Sequence, residues 1–135
     1  MGDLTKNLSV YEFACECSLS GCNGKRVAHM PLVLAIQECV DHFAAKYETR
    51  ARVNITGPNR CAEHNKAVGG APHSTHVDYI AADHNIELKQ ADGSYKLLDP
   101  KEQYDYYDKK YPNSHGIGIY SNRVHLDTRM ARARW

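Results

Sequence analysis

The amino-acid sequence predicts an α+β domain in which an antiparallel sheet of about four strands is backed by helices. Apolar residues recur at three- and four-residue steps over residues 31–47, which is typical of a helix with one buried face. Strand-like segments follow at 52–56, 81–88, 116–120 and 123–128. At 135 residues the chain has the length of one domain, residues 1–135, with a single modest core.

Three helices are predicted before the second strand. Ser9 is followed three residues later by Glu12, a capping-box pattern that begins a short helix, and Phe13 is expected to anchor this helix to the core. Pro31 suits the first turn of the long helix, because the fixed φ of proline is compatible with that position. A second short helix is predicted over residues 60–68, where two glycines follow it.

Turn residues and one further helix organise the second half of the chain. Asp92-Gly93 favours a tight hairpin after the strand at 81–88. Pro100 opens a helix over residues 99–111, along which three tyrosines form a packing stripe. The strands at 116–120 and 123–128 are then expected to form a second hairpin.

Composition excludes some classes of partner. The net charge is +1, from 17 basic and 16 acidic residues, so no overall field favours nucleic acid. The basic cluster Arg129, Arg132 and Arg134 is interpreted as a solvated helix end, with contact to an anionic polymer as the alternative. No apolar run approaches the roughly 20 residues that a membrane span requires. A monomer without a membrane span is expected.

The five cysteines do not allow complete disulfide pairing within one chain, because their number is odd. Cys15, Cys17, Cys22 and Cys61 are candidates for a second, structural zinc site of four thiolates. The Cys-x-Cys spacing is tighter than usual for such a site, which favours reduced or partly disulfide-bonded cysteines instead.

His and Asp residues in two segments have the spacing of a metal site. His76 and Asp83 are seven positions apart, and His125 follows some forty residues later. A catalytic zinc ion takes three protein ligands of these types and keeps one position for water. We therefore predict His76, Asp83 and His125 as zinc ligands, although some His/Asp spacings arise by chance in a chain with eight His.

Asp127 is the candidate catalytic residue. If residues 124–127 form a strand, His125 and Asp127 point to the same face, because side chains alternate with period two. Asp127 is then placed either to act as general base on the metal-bound water or to orient His125. Gly116 and Gly118, on the preceding strand, are expected to let the backbone approach the metal cleft closely.

An ordered set of motifs carries a family resemblance. The set comprises Arg60, Asn65, Gly69-Gly70-Ala71, Ser74-x-His76, Ala81-x-Asp83, Gly116-x-Gly118-x-Tyr120 and Val124-His125-x-Asp127. In this order the chain resembles the zinc D-Ala-D-Ala carboxypeptidase family of peptidoglycan peptidases, over roughly Leu8 to Trp135. The resemblance implies the hedgehog/D-Ala-D-Ala-peptidase type of α+β fold, with zinc in the cleft.

The resemblance also implies a substrate and residues that bind it. The expected substrate is the peptidoglycan stem peptide, with Arg60 and Ser74 facing it; the alternative for Arg60 is a structural salt bridge. Hydrolysis of a bond within a stem or cross-bridge, as by a phage-type endolysin, is favoured over removal of terminal D-Ala. Residues 1–6 lack the apolar core of a signal peptide. We therefore expect cytoplasmic synthesis and action on the cell wall after lysis, through a holin or within a phage particle.

Three departures from the family pattern bear on this interpretation. Tyr79 stands where many members have Gly, and Asn122 stands where some branches have an acidic residue that serves as base. The turn 57–60 lacks an aromatic residue of the family's usual Ser-Gly-Tyr-Arg. These departures keep two alternatives open: a non-catalytic cell-wall binding or virion structural module, and a fold with a purely structural, four-ligand metal.

Overall fold

The computed structural model describes residues 2–14, 28–57, 69, 76 and 80–135. Within these ranges the α-helices are α1 (Met30–Lys46) and α2 (Pro100–Lys110), preceded by a 3-10 helix at Val10–Phe13. The strands are β1 (Ala51–Gly57), β2 (Ala81–Lys89), β3 (Tyr95–Leu97), β4 (Gly116–Ile119), β5 (Val124–Asp127) and β6 (Ala133–Arg134). The predicted α+β class is confirmed, and the four predicted strands and the helices predicted at the N-terminus, at 31–47 and at 99–111 lie near their expected positions. The helix predicted at 60–68 lies outside the described residues.

The sheet is larger than predicted and is mixed. Its strand order is β1-β2-β5-β4-β6, with β3 paired to β2 outside this path. All pairs are antiparallel except that of β4 with β6, which is parallel. About four antiparallel strands were expected. The two additional strands, β3 and β6, are only three and two residues long and carry no periodic pattern of their own.

The core lies between one face of the sheet and the two α-helices. Along β2, residues Ala82, His84, Ile86 and Leu88 alternate into this core. From α1, the buried face contributes Leu32, Val33, Ile36, Val40 and Phe43. The opposite face of the sheet carries Asp83, which places the candidate site on the side away from the helices.

Local signals for the helices are reflected in the structure. The backbone N–H of Ser9 donates to Glu12 Oε2 at 2.7 Å, and Phe13 is buried as expected. Asp99 caps α2 by accepting from the backbone N–H of Lys101 at 3.0 Å. Neither α-helix in the described part of the chain combines the length and apolar character needed to cross a bilayer.

The arginine-rich tail ends in the two-residue strand β6 and not in a helix, so its interpretation as a solvated helix end was wrong. Arg134 pairs in register with Ile117 of β4. Its guanidinium donates to Asp108 Oδ1 at 2.7 Å and to the carbonyl of Ser114 at 3.1 Å, and its side chain is only 9% exposed. The sequence pattern missed this strand because β6 depends on long-range contacts.

Candidate metal centre

Two of the three predicted ligands lie directly opposite each other on neighbouring strands. Asp83 of β2 and His125 of β5 are register partners, so both side chains project from the same face of the sheet. His76 precedes β2 and is buried. The sheet fixes a carboxylate beside an imidazole, and the chain before β2 adds the second imidazole.

The separations of the ligand atoms suit one small cation. His76 Nε2 lies 3.4 Å from Asp83 Oδ1, and His125 Nδ1 lies 3.0 Å from the same oxygen. Ligand atoms of all three residues lie within 4.8 Å of one another. Tetrahedral ligands about 2.0–2.2 Å from zinc lie roughly 3.3–3.6 Å apart. The two separations from Asp83 Oδ1 lie close to this range, and two imidazoles with one carboxylate are the donor types of a catalytic zinc site.

Contacts among the ligands control their ionisation. Burial opposes ionisation of Asp83, but hydrogen bonds from His125 and His76 outweigh it and hold the pKa of this carboxyl well below its ordinary value. Burial also opposes a charged His125, yet hydrogen bonds to Asp127 and Asp83 raise the pKa of this imidazole. An ionised carboxylate facing two imidazoles therefore attracts a positive charge, either a proton or a metal cation.

Asp127 lies behind His125 and is fully buried. Its Oδ2 accepts from His125 Nε2 at 2.8 Å and from Arg129 Nη2 at 2.7 Å. Its Oδ1 accepts from Arg129 Nε at 2.8 Å and from the backbone N–H groups of Gly116 and Arg129 at 3.0 and 3.1 Å. Burial alone would raise the pKa of Asp127, but these donors hold it well below its ordinary value. Because the carboxylate accepts from Nε2, Nδ1 of His125 faces the other ligands.

Glycines on the neighbouring strands leave room for both carboxylates. Gly57 is the register partner of Asp83 on β1, and a Cβ there would lie 2.5 Å from Asp83 Oδ2. Gly116 is the register partner of Asp127 on β4, and a Cβ there would lie 2.7 Å from Arg129 Nε. The close approach expected at Gly116 is confirmed.

Trp135 packs against the imidazole ring of His125. Its ring centroid lies 4.8 Å from that of His125. Gly118, the register partner of His125 on β4, makes this possible, because a Cβ there would lie 2.6 Å from Trp135 Cε2. The predicted close approach at Gly118 is present, although the approaching group is an indole. Hydrogen bonding to Asp127 and packing against Trp135 thus restrain His125 together.

A sequence comparison identifies the family. The profile of a family described as Peptidase M15 matches residues 6–127. The chain belongs to the peptidase M15 family. The match includes His76, Asp83 and His125 and ends at Asp127, before Trp135. Neither a search of curated proteins nor a search of solved structures gave a significant match.

Membership of the M15 family agrees with the chemistry of the site. The family is zinc-dependent, and membership supports a metallopeptidase. In this M15 chain, His76 Nε2, Asp83 Oδ1 and His125 Nδ1 belong to a group of side chains that could hold a metal ion. The resemblance recognised from the ordered motifs is therefore confirmed at the level of the family.

Several predicted site residues lie outside the described part of this M15 chain. The substrate roles of Arg60 and Ser74 stay predictions, as does the effect of Tyr79 on the cleft. The same holds for the metal or disulfide role of Cys15, Cys17, Cys22 and Cys61. The fifth cysteine, Cys39, is free and buried on α1.

Three residues near the metal centre were not predicted. Arg129 and Trp135 contact Asp127 and His125, and Arg123 lies with its Nε 4.0 Å from Asp83 Oδ2. Period-two alternation offered a signal for Arg123, because it stands two residues before His125 in the strand predicted over residues 123–128. No local pattern identifies Trp135, because the path of β6 brings it to the site.

Proposed function

We propose that this M15 chain is a zinc-dependent peptidoglycan peptidase that hydrolyses an amide bond in a stem peptide or cross-bridge. The observation that carries the proposal is the convergence of His76, Asp83 and His125 on one face of the sheet, in a member of a zinc-dependent peptidase family. We favour endopeptidase action over removal of terminal D-Ala, on the basis of the resemblance described above. Release by lysis, by a holin or within a phage particle belongs to the same proposal.

The three ligand residues have distinct tasks in the proposed reaction. When bound, zinc supplies a Lewis acid for the scissile carbonyl and lowers the pKa of a coordinated water to about 7. His76 and His125 present lone pairs from Nε2 and Nδ1, while Asp83 supplies the negative charge. Their burial and their cross-strand geometry keep these atoms in place.

We assign Asp127 to the positioning of His125 rather than to proton transfer from water. Besides the hydrogen bond from His125 Nε2, the carboxylate accepts from four N–H groups, three of Arg129 and one of Gly116, and it has no exposed surface. A general base must come within hydrogen-bond reach of the proton that it removes. The donors around Asp127 leave little room for a water, which favours the orienting role among the two that were predicted.

Mass spectrometry of muropeptide digests tests the function. The wild type is incubated with purified muropeptides of several cell-wall types, with and without a chelator, beside His76→Ala. A cut stem or bridge, lost with the chelator and in the variant, supports the proposal and names the bond. His42→Ala is the matched control, because His42 is an exposed helix residue on α1.

The alternative is a non-catalytic cell-wall binding or virion structural module. It predicts that the wild type binds zinc stoichiometrically yet gives no product from any muropeptide. A metal that stays inert to exchange, with four protein ligands, would instead indicate a purely structural ion. Either result would overturn the peptidase proposal.

A further inference from the structure

A half-exposed surface of three side chains borders the ligand group. We name it the Arg123 ledge, formed by Tyr120, Arg123 and Trp135. We propose that the Arg123 ledge binds a carboxylate of the substrate peptide, so that Arg123 distinguishes free from amidated stem peptides. This inference rests on the proposed function and adds a specificity determinant to the same site.

The strands bring the Arg123 ledge to the metal face of the sheet. Arg123 directly precedes β5, and its Nε lies 4.0 Å from Oδ2 of the ligand residue Asp83, which places it on the side of the sheet that carries the ligands. Tyr120 follows Gly118 by two residues, and Gly118 is the register partner of His125. A substrate that reaches the ligand group from this side meets the ledge.

Neighbouring groups hold the guanidinium of Arg123 in place. It stacks on Tyr120, with Cζ 4.4 Å from the ring centroid, and its Nη1 donates to Asn122 Oδ1 at 3.1 Å. Tyr120 is itself fixed, because its hydroxyl accepts from Trp135 Nε1 at 3.2 Å. An arginine restrained by stacking loses less conformational entropy when it binds an anion.

Arg123 is poorly paired within the described part of the protein. The carboxylate closest to it there is Asp83, whose Oδ2 lies 4.0 Å from Nε, beyond hydrogen-bond distance. Elsewhere on the sheet, Arg52 lies 3.2 Å from Glu87 while also stacked on a tyrosine ring. A stacked arginine that is 35% exposed and lacks such a close partner retains donors for an external carboxylate.

The chemistry of the substrate supplies a matching group. Stem peptides carry free carboxylates, which amidation converts into neutral carboxamides. Arginine binds a carboxylate through two parallel charge-assisted hydrogen bonds, and a carboxamide cannot accept both. At this partly exposed position we expect amidation to weaken binding about tenfold.

The test uses two synthetic stem pentapeptides of one sequence, with the acidic carboxylates either free or amidated. Dissociation constants are measured by calorimetry on the zinc-loaded chain, and kcat/KM is measured for any peptide that is cleaved. The wild type is expected to prefer the free acid about tenfold, and Arg123→Gln to lower this ratio to near 1. Arg123→Lys should restore part of the preference, because the charge returns without the planar fork.

Arg52→Gln is the matched control, since Arg52 also stacks on tyrosine and faces a carboxylate but lies on β1. It should leave the preference intact. An unchanged preference in Arg123→Gln, or no preference in the wild type, overturns the inference. Equal cleavage of both peptides refutes the ledge but upholds the peptidase. Preferential binding that Arg123→Gln abolishes upholds the ledge even without cleavage, because cleavage of a cross-bridge is tested separately by the muropeptide digests. Absence of binding to both peptides overturns the inference.

Discussion

Replacing Asp127 by Asn separates the two roles predicted for this residue. The substitution keeps the shape of the side chain and removes its charge. His125 Nε2–H can still donate to the amide oxygen, but the paired contacts of Arg129 with both carboxylate oxygens are lost. The charge that favours a fixed His125 orientation is lost with them.

The two roles predict different results for Asp127→Asn: a positioning role predicts weaker metal binding, and a general-base role predicts a lower kcat. Loss of a carboxylate that orients a metal-binding His lowers metal affinity by about 10- to 100-fold, or roughly 1.4–2.8 kcal/mol. Loss of a general base lowers kcat by about 10²- to 10⁴-fold and leaves metal affinity nearly unchanged. From the contacts of Asp127 we expect the first result, with most activity recovered at saturating zinc.

The metal-free protein should also lose stability. Breaking a buried ion pair costs about 3–5 kcal/mol, but the guanidinium of Arg129 is 35% exposed and water can solvate it. We therefore expect a loss of about 2–3 kcal/mol in the free energy of unfolding. Glu87→Gln, which removes the exposed pair with Arg52, is the control and should cost about 1 kcal/mol or less.

The assay combines zinc competition with a chromogenic chelator, urea unfolding with EDTA present, and muropeptide cleavage at saturating zinc. A wild-type zinc affinity in Asp127→Asn, together with a kcat reduced more than about 100-fold at saturating zinc, would refute the positioning role. It would restore Asp127 as the general base despite its burial.

Three further predictions use other features of the fold. Trp135 is the single tryptophan, and its ring centroid lies 4.8 Å from that of His125, so Co²⁺ binding should quench its fluorescence strongly. His76→Ala should abolish this quenching. Quenching that survives in the variant would show that the ion binds elsewhere. Gly118→Val should force the indole of Trp135 away and lower the free energy of unfolding in urea by about 1–3 kcal/mol. Unchanged stability and fluorescence in this variant would contradict the close packing of Trp135 against Gly118. Burial lowers the pKa of His84 to about 4, so the unfolded chain binds more protons between pH 6.5 and 4 and stability falls as the pH is lowered. The contribution of His84 to the free energy of unfolding is on the order of 3 kcal/mol. The pH dependence of unfolding, measured with EDTA present, should therefore be weaker in His84→Asn than in the wild type. An equal pH dependence in both proteins would argue against a neutral buried His84.

Much of the candidate metal centre could be predicted from local patterns in the sequence. Period-two alternation in a short strand was enough to place His125 and Asp127 on one face, and the structure has Asp127 as the hydrogen-bond acceptor of that His. The spacing of His76 and Asp83 and the order of the motifs predicted these residues as the other ligands, and the structure groups both with His125. Alternation cannot reveal that Asp83 and His125 are register neighbours, because register depends on which strands pair.

The parts that were missed depend on contacts between distant segments. Arg134 belongs to the basic cluster that was interpreted as a solvated helix end, yet it forms hydrogen bonds to α2 and to the chain after it. Nothing in a two-residue strand signals that it will pair with β4. The position of Trp135 against His125 follows from that pairing, which explains why its role did not emerge from the sequence.

The glycines explain how charged groups are accommodated in the middle of a sheet. Asp83, His125 and Asp127 each face a glycine on a flanking strand, respectively Gly57, Gly118 and Gly116. A β-branched residue at these positions would favour strand formation more strongly but would fill the space of a ligand or of the group that restrains it. The sheet therefore gives up some intrinsic strand propensity at three places, and in return the neighbouring strands hold the ligand atoms within the distances that a small cation requires.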